Sequence, residues 1–310
     1  MHCKIDNEAC EICMRWGDKI PYESATLLSA VGNASNAAVA AARLGLNSAL
    51  RAYVGDDQYG KDCLAVLTAE KVDTSLMVTQ KGKKTNYHYV LWYEDNRTIL
   101  VKHEEFDYTT PKISASPKWV YLSSLASNSA PYHLEIAQWL GRHPTSKLAF
   151  QPGTFQMKLE PQTLKEIYAR TEIFFCNKEE AERILNLPVG SDVKELLKGL
   201  QALGPHIIVM TDDVRGAYAI EADGTTMWRV PRYPDPRKPF EITGAGDALA
   251  SSTVAALALG LPLHEALLWG PTNASSVLQK IGAQAGLLTR AELEAQIKNP
   301  PAPFALEKLA

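Results

Sequence analysis

Short apolar runs of strand length alternate with segments of helical periodicity along most of the chain. Residues 48–54, 118–122, 147–150, 172–176 and 206–211 are runs of the first kind, each closed by polar, glycine or proline residues. Residues 36–44, 61–70, 132–140, 161–169, 178–185 and 193–203 place their apolar positions at helical spacing, and the Ala-rich stretch 249–259 reads as a buried helix. Strands apolar on both faces and alternating with helices predict an α/β fold with a mostly parallel central sheet covered on both sides. Ligands of such sheets bind at the carboxyl ends of the strands.

One stretch breaks the alternation. Residues 86–93 are rich in aromatic and β-branched side chains, 94–97 are Glu-Asp-Asn-Arg, and 98–102 are again strand-like, which predicts a β-hairpin. An isolated hairpin is unstable in water, so it must cover something or pair with another chain. With 14–24 as a companion strand, a small lid over the carboxyl edge is expected, built from about 10–24 and 84–105. Its strand edges also predict a homodimer formed through the lid.

Composition narrows the function. A chain of 310 residues with 46% hydrophobic content can bury one large α/β core, so a single domain over 1–310 is expected. A formal net charge of −3 argues against a nucleic-acid or membrane-surface role resting on bulk charge. No apolar run reaches the roughly 20 residues that span a bilayer, and Met1-His2-Cys3-Lys4-Ile5 has no signal-like apolar core. A cytoplasmic protein is the expectation. Cys10 and Cys13 have C-x-x-C spacing, but no second pair completes a zinc set, so the thiols read as reduced.

The densest chemistry lies in Thr243-Gly244-Ala245-Gly246-Asp247-Ala248, between a Pro-rich loop and the buried helix. Glycines around a small residue let backbone N–H groups point into one concavity at a helix N-terminus, which suits a phosphate. An aspartate there suits proton abstraction from an attacking hydroxyl; alone, the same residues also fit a loop closed by an N-capping Asp. Further motifs are Gly32-Asn33-Ala34-Ser35-Asn36 opening an Ala-rich helix, Gln151-Pro152-Gly153-Thr154 after a strand, and Asn177-Lys178-Glu179-Glu180. The last has capping-box spacing and equally suits hydrated Mg²⁺.

In this order and spacing the motifs resemble the ribokinase-like (PfkB) carbohydrate and nucleoside kinases, with similarity from about 32 to 288. The resemblance implies a three-layer ribokinase-like fold and ATP-dependent phosphorylation of a hydroxymethyl group on a sugar or nucleoside. By position it makes Asp247 the base, and Gly244, Ala245 and Gly246 the anion hole. Gly32, Asn33, Asn36 and Gln151 become substrate contacts, and Asn177, Thr211, Asp212, Gly216 and Asn273 the nucleotide side. Glu180 holds Mg²⁺ through water. Lid aromatics Tyr87, Tyr89 and Trp92 fit a nucleoside, and lid cations Lys84, Arg97 and Lys102 a sugar phosphate.

Three positions depart from the family pattern. No apolar strand ending in Gly with a substrate-binding Asp stands at the start, where Lys4-Ile5-Asp6-Asn7-Glu8 is polar; Val31 replaces a Gly; and Glu241 replaces an Asp associated with a monovalent cation. The monovalent-cation site is left open. The absent strand keeps a noncatalytic ribokinase-like binding protein as the alternative.

Overall fold

The structure, a computed structural model, describes residues 14–309 except 94, 95, 114 and 241. Cys3, Cys10, Cys13, Asp6, Glu241 and the first part of the expected lid therefore lie outside the described residues. The chain enters the fold through α1 (Asn33–Arg43), then β1 (Tyr53–Gly55), α2 (Gln58–Ala69), β2 (Val78–Gln80) and the hairpin β3 (Tyr89–Tyr93) and β4 (Asn96–Leu100). It continues with β5 (Trp119–Leu122), α3 (Ala130–Arg142), β6 (Lys147–Phe150), α4 (Lys165–Arg170), β7 (Thr171–Asn177), α5 (Lys178–Leu185), α6 (Val193–Ala202) and β8 (Ile207–Thr211). β9 (Ala217–Ile220), β10 (Met227–Val230), α7 (Ala245–Ala258), α8 (Leu263–Val277), α9 (Arg290–Lys298) and β11 (Glu307–Lys308) close it.

β5, β6, β7 and β8 pair in parallel, so Leu122, Phe150, Asn177 and Thr211 end at one edge of the sheet. β8–β9, β9–β10 and β10–β11 pair antiparallel, which makes the seven-stranded sheet mixed. Alternation along β7 builds the three layers. Phe174 and Cys176 pack with Leu140, Leu196 and Leu197 of α3 and α6. Ile173 and Phe175 pack with Val254 of α7 and Leu267 of α8. α7 is buried almost all round, as its run of Ala, Ser and Thr allows, and the helices come close enough that a Cβ on Gly270 would lie 2.7 Å from Thr253 Oγ1.

β1 and β2 form a separate parallel pair, and β5 is an edge strand of the large sheet. The run 48–54 supplies less strand than its apolar pattern predicts: only 53–55 joins a ladder, with Ala49 making a lone bridge to Asp73. Tyr53 is stitched to the rest by a stack, contacting Phe106 and Tyr108, and Tyr108 in turn contacts Tyr132 of α3. The hairpin forms in the expected place, Tyr89 opposite Leu100 through Tyr93 opposite Asn96. Residues 14–24 contain no strand and are exposed throughout, so they add no third strand to it. No helix among the described residues is long and apolar enough to cross a membrane.

Candidate active site

Asp247 lies in the first turn of α7 and is 7% exposed. A carboxylate so buried needs donors, and three side-chain amides supply them. Asn33 Nδ2 donates to Oδ1 at 2.8 Å, Asn36 Nδ2 to Oδ2 at 2.8 Å, and Gln151 Nε2 to Oδ1 at 3.4 Å. Burial pushes the Asp247 carboxyl above the usual carboxylate range, and the amides of Asn36, Asn33 and Gln151 oppose that push. Oδ1 takes two of the three bonds, leaving an acceptor direction of Oδ2 for an incoming hydroxyl.

The local sequence explains the turn beneath Asp247. Gly244 caps α7 at φ 84°, and a Cβ there would come within 2.3 Å of the Ala283 Cβ. Only glycine meets both demands. No side chain caps this helix, and Ala248 N–H is its first donor to find an intrahelical acceptor, Gly244 O at 2.9 Å. The N–H groups of Ala245, Gly246 and Asp247 thus emerge at the positive end of the helix dipole, ready for an anion. Above the turn there is room: a Cβ on Gly246 would meet only Gln151 Nε2, at 3.9 Å.

Asn33 and Asn36 reach Asp247 because α1 packs against α7 through its Ala-rich face, and Gln151 because it follows β6 at the carboxyl edge. Gly32 caps α1, its N–H donating to Asn36 Oδ1 at 3.3 Å. Asn177 and Thr211 stand side by side in the β7–β8 register. Asn177 and Glu180 form the complete capping box of α5, at 2.7 and 2.9 Å, while burial raises the Glu180 carboxyl above its ordinary value. Asp212 is held by Arg215 at 3.1 Å, and Gly216, at φ 92°, sits where a Cβ would lie 2.3 Å from Val230 O. Asn273 faces inward: it is fully buried, donates to Ser252 Oγ and accepts from Leu288 N–H.

The hairpin and the segment after it touch the loops beside this floor. Trp92 makes an edge contact with Phe240, which precedes the Gly-Ala-Gly turn, and His103 meets Phe155, four residues after Gln151. Strand alternation puts Trp92 and its cross-strand partner Arg97 on one face and Tyr89 on the other. Tyr87 and Tyr89 pack on each other and on Tyr59, so the three aromatics do not form one wall. Of the lid cations, Lys102 lies 3.7 Å from Glu104, whereas the Arg97 Nε is buried with no partner among the described residues.

Two further residues belong to the site. The Tyr121 hydroxyl, on β5, donates to Gln151 Oε1, and Gln284 donates to Asn36 Oδ1 at 3.0 Å and to Ala30 O at 2.7 Å. Neither stands in a motif, and both act across long stretches of chain, so the pattern of residues carried no signal for them.

Comparison with known proteins speaks to the family and the fold. The chain is 26% identical over 283 residues to 5-dehydro-2-deoxygluconokinase of Bacillus subtilis, covering 86% of each protein. It is 28% identical over 289 residues to ribokinase of the same species, covering 89% of this chain and 92% of that one. The fold superposes on ribokinase of Cryptococcus neoformans in complex with ADP with a TM-score of 0.75 at 21% identity, over 92% and 93% of the two chains. The pfkB family carbohydrate kinase profile matches residues 8–290, a span that holds α1, the sheet's parallel strands, the hairpin and every residue around Asp247. With nearly the whole chain matched, this protein belongs to the PfkB family of carbohydrate kinases.

Proposed function

We propose that this kinase transfers the γ-phosphoryl group of ATP to a hydroxymethyl group of a sugar, with Asp247 as the base. The observation that carries the reading is a buried carboxylate in the same first helical turn as uncapped N–H groups. An acceptor hydroxyl on the free side of Oδ2 gives up its proton there as its oxygen attacks phosphorus in line. The N–H groups of the Gly244–Gly246 turn meet the charge gathering on the equatorial oxygens. Asn33, exposed at the mouth, and Gln151 are placed to orient the sugar's other hydroxyls.

ATP lies, in this reading, along the ends of β7 and β8, with Asn177, Thr211, Asp212 and Gly216 beneath it. Among the described residues no three His, Cys, Asp or Glu side chains gather into a metal cage. One half-buried carboxylate, Glu180, fits a Mg²⁺ that keeps its waters and binds chiefly to phosphates. Bound Mg²⁺ supplies charge neutralisation on the transferred phosphoryl group. The hairpin, latched by Trp92 on Phe240, excludes water from it. The exposed Tyr89, Val90, Leu100 and Val101 of the hairpin suit pairing with a second copy of the chain. A monomer at micromolar concentration in a light-scattering size measurement would remove that pairing.

A second reading narrows the acceptor to an anionic sugar. Arg97 shares a face of the hairpin with Trp92, its Nε has no partner among the described residues, and the similarity to 5-dehydro-2-deoxygluconokinases points to a sugar acid. A nucleoside is less well served, since Tyr87 and Tyr89 pack elsewhere. ADP release from ATP and Mg²⁺ across neutral hexoses and pentoses, sugar acids, sugar phosphates and nucleosides tests both readings. Turnover with one class, reduced about 10²–10⁴-fold in Asp247→Asn, is expected. Tight nucleotide binding without turnover on any class would favour a noncatalytic binding protein instead.

A further inference from the structure

A carboxamide has two faces. Turning it by half a revolution swaps its oxygen for its NH₂ at almost no steric cost. Presented to a carboxylate, the NH₂ stabilises the charge and the oxygen repels it, so the sense of each amide around Asp247 decides how well that residue holds its charge.

For Asn36 the sense is dictated from behind, link by link. The Ala30 carbonyl can only accept, so it fixes the Gln284 NH₂ at 2.7 Å. The second hydrogen of that NH₂ then meets Asn36 Oδ1 at 3.0 Å, beside the Gly32 N–H at 3.3 Å. A turned Asn36 would press its NH₂ against two donors, so the NH₂ faces Asp247 Oδ2. The backbone beneath Gln284 is itself clamped, the Gln284 main-chain carbonyl accepting from Arg43 Nη1 at 2.9 Å, while Arg43 also binds Glu70 at 2.6 Å. On the other side the Tyr121 hydroxyl holds Gln151 Oε1, so the Gln151 NH₂ faces Oδ1. Tyr121 remains a donor, since burial and the nearby Asp247 charge push its phenol well above the ordinary range. Asn33, which is exposed, has no such hold on its oxygen among the described residues, which leaves it to serve the substrate.

We infer that Tyr121 and Gln284 are positioning residues: they lock the amides of Gln151 and Asn36 with the NH₂ groups turned to Asp247, keeping the buried carboxylate ready to accept a proton. The inference rests on the reading of Asp247 as the base. Among the described residues, the groups facing Asp247 are the amides of α1, the Gln151 amide after β6 and the Tyr121 phenol of β5. The amides of Asn36, Asn33 and Gln151 are the side-chain groups that counter its burial.

The test compares Tyr121→Phe, Gln284→Leu and Gln284→Glu with the parent. Glu keeps the shape of Gln but has only acceptors at neutral pH, so it invites the Asn36 NH₂ away and leaves Oδ1 facing Asp247. The acid limb of kcat is expected to move up by about one pH unit in Tyr121→Phe and Gln284→Leu, and further in Gln284→Glu. KM for ATP stays within about threefold, which general loosening of the fold would not produce. In parallel, carboxyl-¹³C aspartate labelling follows the Asp247 resonance, assigned by its loss in Asp247→Asn, and its midpoint should rise in the same order. An unchanged acid limb and midpoint in folded variants would overturn the inference. If the Gln284 variants fail to fold, Tyr121→Phe decides it. Should the parent show no Asp247-dependent turnover, the kinase reading fails, and the NMR midpoints still decide whether the lock exists.

Discussion

Gly244 is where backbone conformation and packing impose the strictest demand. Gly244→Ala adds a side chain at positive φ and drives it into Ala283, so a lowered Tm together with loss of turnover is expected, the conformational part alone costing about 1 kcal/mol. Asp247 gives a pH prediction of unusual sign. Its folded carboxyl binds protons more tightly than its unfolded one, so its contribution to stability is full below the ordinary aspartate value of 3.8 and is lost as pH rises through the raised value. Urea melts should therefore show Asp247→Asn gaining on the parent as pH goes from 4 to 7. A gain in the opposite direction would mean the amides outweigh burial. Asp247, Gly244, Asn33 and Asn36 were legible because each is bound to a local need for a turn, a cap or a charge. Tyr121 and Gln284 were not, since their roles come from partners 30 and 248 positions away.

At the scale of elements, the proposed function gives the α5 capping box a second duty, a hold on hydrated Mg²⁺. Glu180→Gln retains an oxygen for the Asn177 N–H and should leave Tm nearly unchanged while raising the Mg²⁺ needed for half-maximal turnover. Glu180→Ala should also lose the capping bond, at about 1 kcal/mol. Equal Tm losses in both variants would reduce the motif to a cap. The parallel strands and their helices were readable from apolar runs, because both faces of β6, β7 and β8 are buried. The antiparallel β9–β11 extension was not, since β10 and β11 are short and partly exposed, and nothing in so short a run fixes a partner. The hairpin was legible from its aromatics, whereas its inner and outer faces emerged only from the Trp92–Phe240 contact.

Across the whole molecule, two sheets share one site. Asp247, Gln151 and Tyr121 belong to the large sheet and its helices, while α1 packs both on α7 and in the cluster that holds Leu50 and Val72 around the small parallel pair. Phe106, 2% exposed, lies in the stack that ties Tyr53 to α3, so Phe106→Ala should cost about 3–5 kcal/mol in a denaturant melt. The split has a consequence in time rather than in geometry. β1 and β2 have one ladder between them, three residues long, whereas β6, β7 and β8 each have neighbours on both sides. Opening of the small pair breaks few bonds and leaves the seven-stranded core intact, so the two sheets should form separate units of hydrogen exchange. Amides of 53–55 and 78–80 would then trade for deuterium well before those of 173–176 and 207–210, and the α1 side of the site would tick on the faster clock.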